Sequence, residues 1–157
     1  MEKNIERAHK WENLLLGKQV PDLACMDSAN VWHNTRDCNK DFKILLFWSP
    51  GCGHCSVEVP KYDKFYKEKK DIYSVEIFAI NTESDLEAWK KFIKEKDLQW
   101  INLNGLVANY DWREYFDIEK TPIMFILDKN NTIVAKNVPA DNIEQIIKAI
   151  KEGRFAF

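Results

Sequence analysis

The sequence predicts an α/β sandwich whose sheet begins parallel and finishes antiparallel, a mixed sheet flanked by helices. Three observations carry this. A compact apolar run over residues 43–48 reads as a buried central strand that passes straight into a turn and a helical pattern. A second apolar run over 73–80 follows that helix. Near the C-terminus, strand-like runs over 123–127 and 132–135 flank the turn Asp128-Lys129-Asn130-Asn131.

Taken in order, the chain opens with a helical pattern over 3–16, where Ile5, Ala8, Trp11, Leu14 and Leu15 alternate with charges, and Gly17 offers the stop. Residues 23–26 and 31–33 flank Asp27-Ser28-Ala29-Asn30 and predict a short hairpin, followed by a polar loop over 34–41. After the strand at 43–48 comes a helix with Val57, Tyr62, Phe65 and Tyr66 as its expected inner face and a kink at Pro60. Ser84-Asp85-Leu86-Glu87 reads as a capping box, with Leu86, Trp89 and Ile93 turned inward behind it. A short strand over 99–103 and a short helix over 110–116 lead to the final strand pair. Asp141 is the expected cap of a last helix. Its apolar positions Ile143, Ile146, Ile147 and Ile150 keep i, i+3, i+4, i+7 spacing, and Gly153 ends it.

Composition narrows the function classes. With 23 basic against 25 acidic residues, the net charge of -2 argues against a nucleic-acid binder. A 45% hydrophobic, 13% aromatic chain is not intrinsically disordered. The longest apolar runs, 44–48 and 123–127, are far shorter than the roughly 20 residues a membrane-spanning helix needs. The first residues lack an apolar segment and a cleavage site, so they show no secretory signal. Two readings follow: a cytosolic protein, or a chain without its export signal.

The chemistry lies in the cysteines. Of the four, Cys52 and Cys55 form the pair C-G-H-C at the strand-to-helix junction. A cysteine at a helix N-terminus meets free N–H groups and the positive end of the macrodipole, which favour its thiolate. A partner one turn on can close a disulfide with it. Cys52 is therefore the expected nucleophile and Cys55 the resolving thiol of a reversible dithiol. His54 is expected to donate to the Cys52 thiolate or sit charged beside it. Half a zinc site is an alternative, but Cys25 and Cys38 supply no second C-x-x-C pair. Covalent haem attachment would need His at position 56, which is serine. No metal is expected, and the only cofactor is the Cys52–Cys55 disulfide itself. Cys25 is expected as a small buried apolar residue in a strand, with a structural Cys25–Cys38 disulfide as the alternative.

These residues resemble the thioredoxin superfamily over about 20–152. Phe47-Trp48-Ser49-Pro50-Gly51-Cys52-Gly53-His54-Cys55 is similar to its active-site strand and turn, Pro60 to its kink proline, and Thr121-Pro122 to its cis-proline loop. Within the superfamily the chain is most similar to the TlpA/ResA-like thiol–disulfide oxidoreductases of bacterial envelopes. It carries their C-x-x-C-x-x-E-x-P pattern as Cys52, Cys55, Glu58 and Pro60, a similar opening at Gly17-Lys18-Gln19-Val20-Pro21-Asp22-Leu23, and a long segment between Ile80 and Thr121.

The resemblance implies a thioredoxin-like fold with an N-terminal hairpin and an extra N-terminal helix. Residues 1–19 would be that helix, the end of a missing upstream domain, and residues 20–157 the thioredoxin-like domain. It implies disulfide exchange with cysteines of exported proteins, a redox partner protein, and a periplasmic or cell-envelope location. Glu58 would assist proton transfer or touch substrate. Trp48, Gly51, Gly53, Thr121 and Pro122 would line the substrate site, with the Thr121 backbone opposite Cys52. A non-enzymatic redox-sensing or binding domain is the competing reading. Three departures stand out: Leu46 replaces a buried acid, Gly51 replaces a tryptophan, and Gly53-His54 is the isomerase-type pair. A histidine in that slot predicts a potential more oxidising than thioredoxin's about -270 mV.

Overall fold

The computed structural model describes residues 16–153. The helix expected over 3–16 lies outside the described residues except for Leu16. A seven-stranded mixed sheet runs in the order β2-β1-β5-β4-β3-β6-β7. Its strands are β1 (Ala24–Met26), β2 (Trp32–Asn34), β3 (Phe42–Trp48), β4 (Val75–Asn81), β5 (Ile101–Ala108), β6 (Ile123–Asp128) and β7 (Ile133–Lys136). The helices are α1 (Gly53–Tyr73), α2 (Leu86–Lys96), α3 (Trp112–Tyr115) and α4 (Ile143–Lys151). Strands β3, β4 and β5 are parallel, whereas β6 runs antiparallel to β3 and β7 antiparallel to β6. The fold is thioredoxin-like, with the parallel start and antiparallel finish that the sequence predicts.

β3 sits inside the sheet, between β4 and β6, because all its residues can be buried on both faces. Ile44, Leu46 and Trp48 point to one face, packed under α1, α2 and α4. Leu45 and Phe47 point to the other, covered by Val20, Leu23 and the short α3. There Phe47 meets Trp112 and Phe116 at ring distances of 5.2 and 5.3 Å. Before β1, residues 17–20 already lie against the β6–β7 turn: Gly17 N–H donates to Ile133 O, Ile133 N–H to Lys18 O, and Val20 N–H to Asn131 O.

Several local expectations shift. Val57 is 57% exposed, not inward. The buried stripe of α1 is Cys55, Val59, Tyr62, Asp63, Phe65 and Tyr66, and at 100° per residue Val57 lies off it. The same helix runs on to Tyr73, which the sequence reading placed in β4; Ser74 then closes it in the left-handed region at φ 56°. The N-cap of α2 is Asp85 rather than Ser84, its carboxylate accepting from Ala88 N–H at 3.0 Å. Asp141 caps nothing: it lies in a 3-10 turn, Ala140–Asn142, ahead of α4, and its carboxylate meets Lys61 instead. β5 extends to Ala108, well beyond the expected 99–103, because its second half pairs with β1. The polar loop over 34–41 contains a 3-10 turn, Thr35–Asp37.

Candidate active site

Register places the site at one end of the sheet. Trp48, the last residue of β3, pairs with Asn81 at the end of β4, and Phe47 pairs with Ile123 at the start of β6. The chain leaving β3 and the chain entering β6 therefore meet, which brings Thr121 against Cys52 across 69 positions of sequence. The Thr121–Pro122 peptide is cis, as the sequence pattern anticipates.

Cys52 is the N-cap of α1. Its sulfur accepts from Cys55 N–H at 3.2 Å, the bond a serine or aspartate oxygen usually takes at this position. No acid occupies the first turn to compete with a negative sulfur. Thr121 O lies 3.2 Å from the same sulfur and accepts its S–H when it is protonated. Partial burial pushes the Cys52 thiol up, but donors outweigh it: the Cys55 side chain, the Thr121 side chain, and the backbone N–H groups of Cys55 and His54 bring it below the ordinary thiol range. Cys55 is fully buried one turn deeper. Burial, followed by its hydrogen bond to Cys52 and the Cys52 charge, pushes its thiol up to about 12, against the opposing Ser49 backbone N–H and Thr121 side chain. The two sulfurs are thus unequal: one accessible and easily ionised, the other enclosed and reluctant.

His54 is exposed, and its ring makes no hydrogen bond to Cys52 among the described residues. Of the groups that lower the Cys52 thiol, the His54 backbone N–H is the smallest contributor, and the imidazole is not among them. This separates two substitutions. His54→Pro removes that N–H at a first-turn position where proline is tolerated, and alkylation of Cys52 at neutral pH should slow about two- to threefold. His54→Ala should leave the rate nearly unchanged. The pH dependence of iodoacetamide labelling checks both, and a large effect of alanine would return the role to the ring.

Glu58 is one turn beyond Cys55, and its carboxylate is engaged by α1's own Lys61 and by the loop after β7. It accepts from Ala140 N–H at 3.3 Å and lies 3.9 Å from Lys61 Nζ. Trp48 is fully buried and packs against Phe92, the rings tilted by 56° with centroids 5.0 Å apart, so it supports the site from below and presents no surface to a substrate. Gly51 and Gly53 are both exposed beside Cys52, and a Cβ on either would meet nothing within 4 Å.

A cavity of about 540 Å³ opens beside the dithiol, lined in part by His54, Glu58, Tyr62, Thr121, Pro122 and Val138. Its far wall, the loop after β7, is tied to α1 at three points. Tyr62 Oη donates to Val138 O at 2.6 Å, Ala140 N–H donates to Glu58, and Lys61 Nζ reaches Asp141 at 3.2 Å. Sequence reading missed this wall. Its one signal is Tyr62, a hydroxyl placed on the buried stripe of α1, which must find a partner there.

All four cysteines are free thiols. Cys25 is fully buried in β1, and burial raises its thiol to about 12. Cys38 is half-buried after the 3-10 turn. Among the described residues, no group of three or more histidine, cysteine, aspartate or glutamate side chains is arranged to hold a metal ion. Nor is any helix among them long and apolar enough to cross a membrane.

Known proteins share this fold. A domain of a possible thiol-disulfide isomerase from Cytophaga hutchinsonii superposes with a TM-score of 0.81 at 30% identity, covering 89% of this chain and 95% of that one. A thiol:disulfide interchange protein from Bacteroides sp. gives 0.74 at 25% identity, covering 88% and 94%. The thioredoxin-like protein YneN of Bacillus subtilis is 27% identical over 123 residues, 74% of this chain and 68% of that protein. The family model described as thioredoxin-like matches residues 39–133, from the loop ahead of β3 to the start of β7. That stretch contains both segments that meet at Cys52, and on it the chain belongs to the thioredoxin-like family.

Proposed function

We propose that this protein is a thiol–disulfide oxidoreductase that exchanges disulfides with cysteines of exported proteins in the periplasm or cell envelope. One observation carries the reading: an accessible sulfur with a lowered pKa caps a helix directly above an enclosed sulfur with a raised one. The C-x-x-C-x-x-E-x-P pattern and the thiol–disulfide activities of the similar proteins support the same class.

In the reductive direction, the Cys52 thiolate attacks one sulfur of a client disulfide. A Cys52–client bond forms, and the other client sulfur leaves with the electron pair and takes a proton. Cys55 then loses its proton and attacks Cys52, forming the Cys52–Cys55 disulfide and releasing the second client sulfur as a thiol. The client gains two electrons, and a dithiol partner protein returns them to the pair. Oxidation of a client is the reverse. No cofactor beyond the internal disulfide is needed.

The geometry explains the order of events. While Cys52 is an anion, its charge is one of the forces holding Cys55 protonated. In the mixed disulfide that charge is gone, so Cys55 ionises more readily when its attack is required. Stabilising the Cys52 thiolate also favours the dithiol, which makes the disulfide the better oxidant. Gly51, Gly53, Thr121 and Pro122 leave an open approach to Cys52, and the adjoining cavity takes the client residues beside its cysteine. Glu58 serves there as a wall of the cavity, fixed by Ala140 and Lys61.

Reduction of insulin disulfides in the presence of dithiothreitol tests the reading. The parent protein should accelerate it, and Cys52→Ser should return the rate to that of dithiothreitol alone. Acceleration that survives Cys52→Ser would place the chemistry elsewhere.

A further inference from the structure

The cavity beside the dithiol adjoins the reacting sulfur through one residue. Thr121 lines it, and Thr121 O lies 3.2 Å from Cys52 Sγ. A client cysteine bonded to Cys52 therefore holds its neighbours at the mouth of the cavity, because successive residues of an extended segment are only about 3.3 Å apart. At about 540 Å³ the space falls within the roughly 300–1,000 Å³ of ligand pockets and has room for a large side chain.

What enters follows from how the walls are bonded. Most of their polar groups are already engaged within the fold. Tyr62 Oη donates to Val138 O at 2.6 Å, and Glu58 accepts from Ala140 N–H at 3.3 Å. Asn137 N–H donates to Met124 O at 2.8 Å, and Asn137 Oδ1 accepts from Met124 N–H at 3.3 Å. The surface left to an occupant is largely hydrocarbon, from Pro122, Ile123 and Val138. A polar side chain placed there loses water and gains few partners. Beside His54, two charged side chains border the space, Glu58 and Lys120. Glu58 lies 3.9 Å from Lys61 Nζ. Lys120 is exposed and has no ion pair or hydrogen bond among the described residues, and its neighbour Glu119 does not line the cavity.

Resting on the exchange reading above, we propose that the preferred client cysteine is flanked, within two residues, by a large apolar side chain and by a carboxylate. The apolar group fills the cavity, and the carboxylate meets Lys120, which is a specificity-determining residue. In the exchange the Cys52–client bond forms while the other client sulfur leaves with the electron pair and takes a proton. The cavity acts on the half that stays bonded.

Symmetric disulfides of short peptides with one cysteine each test this, since either sulfur then presents the same flanking residues. Excess reduced protein is mixed with each peptide, quenched in acid, and the released peptide thiol is measured by chromatography. Every rate is divided by the rate of the same peptide with dithiothreitol, which removes its intrinsic reactivity. A leucine beside the cysteine should react about tenfold faster than an asparagine of similar size. With leucine in place, a neighbouring glutamate should exceed a lysine about three- to fivefold, and about 1 M salt should erase that preference. Lys120→Glu, at an exposed position, should reverse it. The readout is a ratio between peptides, so a general change in Cys52 reactivity cancels. Equal rates for leucine and asparagine, or a glutamate preference unchanged in Lys120→Glu, overturns the proposal and leaves the exchange reading standing. A parent protein that reduces none of the peptides refutes the exchange reading and this proposal with it.

Discussion

A Cys55→Ser variant will accumulate mixed disulfides through Cys52, both with a disulfide probe and with client proteins in cells. The first attack needs only the accessible sulfur and its donors, which the substitution spares except for the Cys55 side chain. The second attack has no other sulfur to perform it, since Cys25 is fully buried in β1 and Cys38 lies outside the site. Non-reducing gels should show client adducts that vanish with dithiothreitol and with Cys52→Ser. A domain that senses redox state without turning over proteins would give none. The same asymmetry sets a pH order in the reduced parent. As pH rises, Cys52 labels first, from below the ordinary thiol range, because donors at the helix N-terminus favour its anion. Cys55 stays protected until the pH approaches about 12. Labelling of both at one pH, tracked by peptide mass, would contradict the environments described for the two sulfurs.

The second large effect concerns Trp48. This residue is fully buried between β3 and the helices above it, so Trp48→Ala leaves a cavity that the rigid sheet and α1 cannot close. The expected cost is about 3–5 kcal/mol, or roughly 6–20 °C in Tm for a chain of this size. Trp48→Phe preserves most of the packing and should leave KM for insulin unchanged. A KM that rises severalfold with phenylalanine while Tm holds would put Trp48 back among the groups that touch substrate. Thermal unfolding by circular dichroism and steady-state reduction assays separate the two outcomes.

Much of the site was legible as sequence because its parts are local. Cys52, Cys55, the apolar strand before them and Thr121-Pro122 each carry a signature within a few residues. What was misread depended on contacts between distant segments. Trp48 belongs to the motif, but only the stacking of α1 and α2 over β3 shows that its ring is covered. Val57 follows the cysteines closely, yet helical phase turns it outward. His54 suggested an imidazole beside a thiolate, whereas the first turn of α1 presents its backbone N–H.

By itself the sequence determined the layered fold, the dithiol and which cysteine begins a helix. Apolar periodicity and a cysteine pair at a strand-to-helix junction are properties of short stretches of chain. The tertiary structure alone decided what surrounds each sulfur: Thr121 across the sheet, the enclosure of Cys55, and the cavity wall tied to Tyr62. Those contacts arise from strand register and helix packing, where residues far apart in the chain are brought within hydrogen-bonding distance. No local pattern encodes that distance.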